Sequence, residues 1–203
     1  MKLVWSSASP FVRKVMIVAH ELGLADRIET LEGTGTPMVP ADATRANNPL
    51  SKLPSLVRED GPAIYDSAVI CQYLCSLAPG QTLLPESGEA RWSVLTLEAL
   101  GDGICEAGVL SRYEMALREE AQQSQAWIEA QGAKIDGALD ALEAGGSQTL
   151  GEAFTLGHAA VGCALGYLDF RFAERGWRDG RPALADWYEG FAARDSAKAT
   201  MPG

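Results

Sequence analysis

The sequence predicts an α/β domain followed by an all-α domain in a chain of 203 residues. Residues 1–77 alternate between strand-like and helix-like patterns, whereas residues 88–193 show helical patterns almost throughout. Between them, residues 78–88 contain two prolines and two glycines, a composition typical of a linker. We therefore assign residues 1–77 to the first domain, 78–88 to a linker and 89–203 to the helical domain.

The composition narrows the class of protein. A hydrophobic fraction of 47% is typical of a globular chain, and a net charge of −10 disfavours a nucleic-acid partner. No 18-residue apolar run is present, and Arg13 and Lys14 interrupt any signal-peptide pattern. The cysteines are Cys71, Cys75, Cys105 and Cys163. Their spacing matches no metal site, and no secretory signal supports disulfides, so we expect neither a metal nor disulfide bonds. Because the sequence shows no signal peptide and no long apolar run, we expect a cytoplasmic protein without membrane association.

The first domain is predicted in the order strand, helix, strand, helix, strand, strand, helix. This order predicts a parallel pair of strands joined by a right-handed crossover, with a hairpin added. The predicted segments are a strand at 2–5, a helix at 10–22, a strand at 26–32, a weak helix at 38–46, strands at 55–59 and 63–65, and a helix at 67–77.

The start of the first helix is a candidate anion site. Ser9 precedes Pro10, and a serine cap followed by proline at the first helical position is a common helix start. The N-terminus of a helix carries unpaired N–H groups and partial positive charge. Ser9 adds a movable donor, so the position suits a thiolate, a carboxylate or a phosphate. On these residues alone, a plain helix cap is the alternative interpretation.

The helical period divides this first helix into two faces. The face predicted to be buried carries Phe11, Val15, Val18 and Leu22. The face predicted to be solvated carries Arg13, Lys14, His20 and Glu21. Gly23 stands where a C-terminal cap belongs.

Three motifs in the first domain carry a family resemblance. They are Ser9-Pro10-Phe11, Asn48-Pro49-x-x-Lys52-Leu53-Pro54 and Asp66-Ser67. In this order they resemble the thioredoxin-like half of cytosolic glutathione S-transferases. The strings Leu83-Leu84-Pro85, Ala90-Arg91-Trp92 and residues 162–171 look like a bacterial branch of that family. The resemblance spans essentially the whole chain, and it implies a thioredoxin-like βαβαββα domain followed by a helical bundle.

The resemblance implies a glutathione site on the first domain. Pro54 would follow a cis peptide bond, leaving the N–H and C=O of Leu53 to pair with the cysteinyl unit of glutathione. Asp66 and Ser67 would hold the γ-glutamyl end, and Lys52 the glycyl carboxylate. The alternatives for these residues are a trans loop proline, an ordinary helix cap and a solvated surface lysine.

The resemblance also implies the chemistry. Ser9 would donate a hydrogen bond to the glutathione thiolate, with Ser6 and Ser7 as second choices. A serine in place of a cysteine favours conjugation of glutathione to a small hydrophobic electrophile over disulfide reduction. Such a conjugation is the detoxification reaction of a transferase. The alternative is a non-catalytic binding or regulatory protein that uses the cleft between the domains.

The electrophile pocket is predicted less sharply than the glutathione site. Trp5, Phe11 and Tyr113 are candidate lining residues, with Arg112 and Glu106 as polar members. Packing in the core is the alternative for each aromatic side chain. The resemblance further implies a homodimer.

The helical domain is predicted to contain four helices, at 89–118, 122–143, 155–172 and 182–193. The third is apolar on nearly all sides, as in a buried core helix. The family opens this helix with a reciprocal capping box that ends in aspartate, whereas here Thr155 is followed by His158. Because a cation is unfavourable at a helix N-terminus, we expect His158 to be neutral and structural.

Overall fold

The computed structural model describes residues 1–151 and 153–203, which form two compact units. The first unit contains Met1–Glu86 together with Asp195–Gly203, and the second contains Ser87–Arg194. Residues 195–203, which the sequence assigns to the helical domain, belong to the first unit. They join it because a short C-terminal helix, α8 (Asp195–Ala199), packs on its first helix.

The first unit is built on a three-stranded sheet in the order β2-β1-β3. The strands are β1 (Lys2–Trp5), β2 (Glu29–Glu32) and β3 (Ser55–Val57). β1 pairs in parallel with β2 and antiparallel with β3. Adjacent β1 residues point to opposite faces of the sheet, yet Leu3 and Val4 are both fully buried, so both faces are covered.

The returning strand predicted at 63–65 is reduced to a single bridge. Ile64 pairs with Leu56 through two backbone hydrogen bonds, of 2.9 and 3.0 Å, and the pairing extends no further. The predicted second strand is also shorter than expected, because residues 25–27 form a 3₁₀ turn before β2. The βαβαββα order is retained except that an isolated bridge at Ile64 stands in place of the fourth strand.

In helix α1 (Pro10–Glu21), the prediction that Arg13 and Lys14 lie on a solvated face is wrong. Arg13 and Lys14, expected in solvent, are 8% and 1% exposed, whereas His20 is exposed as predicted. α8 packs on α1, and the Arg13 guanidinium donates to the Ala197 carbonyl at 3.3 Å. The sequence pattern missed this burial because the covering segment comes from the other end of the chain.

The remaining elements of the first unit follow the predicted order. They are α2 (Asp42–Asn47), shorter than the predicted weak helix, and α3 (Ser67–Ser76), which packs against α1. Gly23 has a φ of 67° after α1, as its predicted capping role requires. In the linker region Leu83 and Leu84 are both buried.

Among the described residues of the second unit, four segments form α-helices. They are α4 (Gly88–Leu117), α5 (Gln125–Thr149), α6 (Leu156–Arg171) and α7 (Pro182–Ala192). α5 extends past the predicted end, with a break at Gly146, where φ is 43° and ψ is −133°. The carboxylate of Glu143 on α5 accepts from the Ala183 and Leu184 N–H groups, and so caps the start of α7.

Helix α6 is the core of the second unit. Every residue from Leu156 to Leu168 is buried, so the prediction of a helix apolar on all sides is confirmed. At its start the Thr155 N–H donates to Nδ1 of His158 at 3.2 Å. Burial, and then the charge of Arg194, lower the pKa of His158 below its ordinary value. A lowered pKa favours the neutral imidazole that the sequence predicts, and the bond to Thr155 is the expected capping contact.

Residues 1–151 and 153–203 contain neither a candidate membrane-spanning helix nor a candidate metal site. No helix among them is long and apolar enough to cross a membrane. No group of three or more His, Cys, Asp or Glu side chains among them is arranged to hold a metal ion.

Gly101 tests the close packing of α4 on α6. A Cβ at Gly101 would lie 2.6 Å from the backbone of Ala160 and Val161, whereas a Cβ at Gly103 would meet nothing within 4 Å. We expect Gly101→Ala to lower the free energy of unfolding by about 1–3 kcal/mol through overpacking. Gly103→Ala, the control on the same helix, should raise it by about 0.5–1 kcal/mol.

Urea denaturation followed by circular dichroism measures both changes. Equal midpoints for wild type and Gly101→Ala would show that the two helices can separate without cost, contrary to this account.

Candidate glutathione site

Three segments of the first unit end at one edge of its sheet. In the antiparallel register Val4 lies opposite Ser55, so Leu53 and Pro54 reach the sheet beside the end of β1, where the loop to Ser9 begins. Ile64 pairs antiparallel with Leu56, so the chain then runs towards the same edge and reaches Asp66. The topology therefore gathers the predicted glutathione-site residues at this edge.

Ser9 caps α1 at this edge. Its backbone is extended, and its Oγ accepts a hydrogen bond from the Val12 N–H at 3.3 Å. Ser9 is half-buried, and Pro10 occupies the first turn as predicted. A hydroxyl that accepts one hydrogen bond keeps its own proton for donation. The cap and a donor to a bound anion are therefore compatible roles for the same side chain.

The two second-choice serines are arranged differently. The Ser7 hydroxyl donates to the carbonyl of Gly203 at 2.7 Å, so its proton is already engaged. Ser6 is buried, and its carbonyl accepts from the Ser9 N–H at 3.2 Å, which closes the turn before α1. Ser9 is thus the better donor of the three.

The segment before β3 presents backbone groups at the same edge. The peptide bond between Leu53 and Pro54 is cis, as the resemblance implies. Neither the N–H nor the C=O of Leu53 has a hydrogen-bond partner within residues 1–151 and 153–203. Leu53 therefore offers a donor and an acceptor to an added extended peptide, in the way that a sheet edge does.

Asp66 and Ser67 form the start of α3. Asp66 is the N-cap residue, with its carboxylate accepting from the Ala68 N–H at 3.1 Å, and the peptide bond before it is also cis. Ser67 is 2% exposed, whereas Asp66 is exposed. The first turn of α3 thus combines unpaired N–H groups with one hydroxyl and one solvated carboxylate, a set that matches an amino acid's carboxylate and ammonium.

Lys52 is exposed, in the segment that leads to the edge. Its carbonyl accepts from the Asn48 side-chain amide at 3.0 Å, which holds the backbone while the ammonium extends into solvent. A solvated cation one residue before Leu53 suits a carboxylate at the near end of a peptide bound there.

The candidate electrophile residues lie in both units. Trp5, at the end of β1, and Phe11, in the first turn of α1, are half-buried. Tyr113 on α4 is half-buried as well, and burial raises the pKa of its phenol. Arg112 is half-buried, whereas Glu106 is exposed.

Sequence reasoning gave no role to three residues that support the edge. Asn48 is 3% exposed, and besides its bond to Lys52 its Oδ1 accepts from the Leu50 N–H at 2.9 Å. The Thr44 hydroxyl donates to the Gly33 carbonyl at 3.0 Å. A Cβ at Gly33 would lie 2.6 Å from Cγ1 of the fully buried Val4 and 2.9 Å from the Leu53 side chain, so the close packing there favours glycine. The Asn48-Pro49 motif was the available signal, whereas nothing local marked Gly33 or Thr44.

The class of protein follows from these features. A thioredoxin-like α/β unit with a peptide-binding edge and a capped helix start, followed by a helical unit, is the two-domain architecture that the sequence predicts. The family model described as "Glutathione S-transferase, N-terminal domain" matches residues 8–77. The model described as "Glutathione S-transferase, C-terminal domain" matches residues 125–190.

Individual relatives match along the whole chain. The uncharacterized GST-like protein YibF of Escherichia coli (strain K12) is 38% identical, over 100% of this chain and 98% of its own length. A glutathione transferase family member from Pseudomonas fluorescens Pf-5, solved with bound glutathione, is 43% identical with a TM-score of 0.97, covering 100% and 98% of the two chains. Its structure with bound S-(propanoic acid)-glutathione gives 42% identity and a TM-score of 0.92, with 100% coverage of both chains.

This chain belongs to the glutathione S-transferase family. The predicted fold class, a thioredoxin-like domain followed by a helical domain, is confirmed.

Proposed function

We propose that this protein is a glutathione transferase that uses Ser9 to hold glutathione as the thiolate for attack on a small hydrophobic electrophile. The observation that carries the proposal is the geometry of Ser9. Its Oγ accepts from the Val12 N–H and so has a fixed position, while its proton stays available at the edge where Leu53 presents its backbone.

The length of the edge supports the binding of a tripeptide along it. From β1 to the segment at Ile64 there are two strand spacings of about 4.8 Å, or about 10 Å in all. Three extended residues span about 10 Å. Glutathione would lie with its cysteinyl unit against Leu53, its γ-glutamyl end at Asp66 and Ser67, and its glycyl carboxylate near Lys52.

A hydrogen bond from Ser9 and the N-terminus of α1 can together supply the free energy needed to form the thiolate. A free thiol has a pKa of about 8.5, and lowering it by two units takes about 2.7 kcal/mol. A helix N-terminus supplies about 0.3–2 kcal/mol, and a hydrogen bond to a charged acceptor about 1.5–3 kcal/mol. Together they supply the shift without a histidine or a metal, since Ser9 only donates and forms no covalent bond.

The reaction class rests on the absence of a thiol at position 9. A serine hydroxyl cannot form a mixed disulfide with glutathione, so the proposed step is a carbon–sulfur bond formed by the thiolate as the electrophile's leaving group departs, or by addition. The Pseudomonas relative with bound S-(propanoic acid)-glutathione holds a ligand of the class that such a step yields. We assign the electrophile to Trp5 and Phe11 of the first unit.

Turnover of an activated aryl halide with glutathione tests the reaction itself. Absorbance of the conjugate should rise in proportion to enzyme concentration. Retention on immobilised glutathione without any turnover would instead favour a non-catalytic glutathione-binding protein.

Ser67 tests the binding half of the proposal. We expect Ser67→Ala to weaken glutathione binding by about 1–3 kcal/mol, or about 5- to 150-fold, because a charged carboxylate loses a donor. Isothermal titration calorimetry measures the affinity. Ser76→Ala at the other end of α3, where the exposed hydroxyl bonds only to the Tyr73 carbonyl, should bind like the wild type. Unchanged affinity in Ser67→Ala would remove the γ-glutamyl assignment.

The variant Ser9→Ala tests whether Ser9 stabilises the glutathione thiolate. We expect Ser9→Ala to raise the pKa of bound glutathione by about one to two units, since the charged hydrogen bond is lost. Turnover at neutral pH should fall about 10- to 100-fold with little change in glutathione affinity. Thiolate absorbance in the ultraviolet, followed against pH, reads the pKa directly.

Two further variants separate donation from helix capping. Ser9→Thr keeps the hydroxyl and should restore most of the thiolate, whereas Ser7→Ala should titrate like the wild type because its hydroxyl is bonded to Gly203. Identical titration curves for wild type and Ser9→Ala would show that Ser9 only caps α1 and does not stabilise the thiolate.

The homodimer implied by the resemblance stays a prediction. Light scattering at micromolar concentration should give twice the mass of one chain. A monomer mass would contradict it.

A further inference from the structure

Helices α4 and α6 of the second unit run parallel to each other. Gly101 of α4 packs on Ala160 of α6, and a Cβ at Gly108 would lie 3.1 Å from the ring of Tyr167. Both pairs are the same number of residues apart in sequence, so the two helices keep one register along their contact. Side chains one helical turn beyond Gly108 therefore lie at the level of side chains one turn beyond Tyr167.

Two arginines occupy that level. Arg112 follows Gly108 by one turn of α4, and Arg171 follows Tyr167 by one turn at the end of α6. Both arginines are half-buried, as is Tyr113 beside Arg112. Burial raises the pKa of the Tyr167 phenol to about 12, and the charges of Arg171 and Arg112, which lower it, act on the same group. These two guanidiniums and two phenols form what we call the arginine–tyrosine cluster.

The cations of the arginine–tyrosine cluster have no carboxylate partner among the described residues. Neither Arg112 nor Arg171 forms an ion pair or a hydrogen bond there, and Arg171 stacks only on the ring of Phe170, 3.9 Å from its centre. The carboxylates nearest to them in sequence are already paired, as Glu114–Arg118 and Asp169–Arg178. Two cations at one site repel each other, and the partial negative charge at the end of α6 offsets only part of that repulsion. An anion would therefore be bound favourably.

The phenols of the cluster are donors without acceptors. Neither Tyr113 nor Tyr167 has a hydrogen-bond partner within residues 1–151 and 153–203. Tyr167 is 6% exposed, yet its oxygen is not one of the fully buried atoms that lack a partner, so it remains accessible. Because burial raises the pKa of both phenols, both keep their protons at neutral pH. A largely buried hydroxyl without an acceptor gains from a ligand that supplies one.

We propose that the arginine–tyrosine cluster binds the carboxylate or phosphate group of a small organic acid. Arg112 and Arg171 would pair with the oxygens of this group, and the hydroxyls of Tyr113 and Tyr167 would donate to it. The planar fork of N–H groups on a guanidinium matches both kinds of oxyanion. The chain has a net charge of −10, so the affinity comes from this local cluster and not from a general positive field.

Calorimetry on the full chain with benzoate, phenyl phosphate and benzamide tests the proposal. The three compounds carry the same ring, and benzamide has no charge. We expect one of the two anions to bind 1:1 and at least about tenfold tighter than benzamide, given the charged hydrogen bonds. The tighter of the two anions identifies the ligand as a carboxylate or a phosphate. No saturable binding of either anion at millimolar concentration, or equal binding of benzamide, would overturn the proposal.

Four variants locate the bound anion. Arg112→Gln and Arg171→Gln should each weaken its binding about tenfold or more, and Tyr167→Phe about threefold to tenfold, because a donor is lost. Arg27→Gln, which removes an exposed arginine of the first unit and makes the same change in net charge, is the control and should bind like the wild type.

Thermal melting by circular dichroism checks that the four variants are folded. Binding is measured without glutathione and requires no turnover, so the result is independent of the proposed transferase activity. If folded Arg112→Gln and Arg171→Gln bind the anion as tightly as Arg27→Gln, the anion lies elsewhere and the proposal is wrong.

Discussion

The antiparallel pairing of β3 with β1 is the constraint on which the glutathione site depends. It sets Leu3 opposite Leu56, both fully buried, and Val4 opposite Ser55. A slip of one residue would turn the buried side chains of β3 to the other face, so the core holds the register. With that register fixed, the segment containing Leu53 has only one place to reach the sheet, which is beside the loop that leads to Ser9.

The C-terminal segment of the chain completes the first unit around the same loop. Its helix α8 covers α1, the Ala197 carbonyl accepts from Arg13, and the Gly203 carbonyl accepts from Ser7. The guanidinium of Arg13 is buried, so a hydrogen bond to the Ala197 carbonyl offsets part of the cost of removing it from water. The contacts of this segment also engage the proton of the Ser7 hydroxyl, whereas the hydroxyl of the half-buried Ser9 keeps its proton for donation.

The second unit depends on one helix in the same way. Residues Leu156–Leu168 of α6 are buried, and at the half-buried start of the helix His158 accepts from the Thr155 N–H. An aspartate in this position would cap with a charge, whereas a neutral imidazole caps without one. The start of α6 is therefore held by uncharged hydrogen bonds between Thr155 and His158.

The sequence by itself determined the elements and the family, because caps, periods and short motifs act over a few residues. Ser9-Pro10, the helix apolar on all sides, and the segment from Asn48 to Pro54 could all be identified in this way. The tertiary structure decided the burial of Arg13 and Lys14, the isolated bridge at Ile64, the support from Gly33 and Thr44, and the arginine–tyrosine cluster of α4 and α6. Each of these depends on segments distant in sequence that pack together, and a local pattern contains no information about which distant segment will cover it.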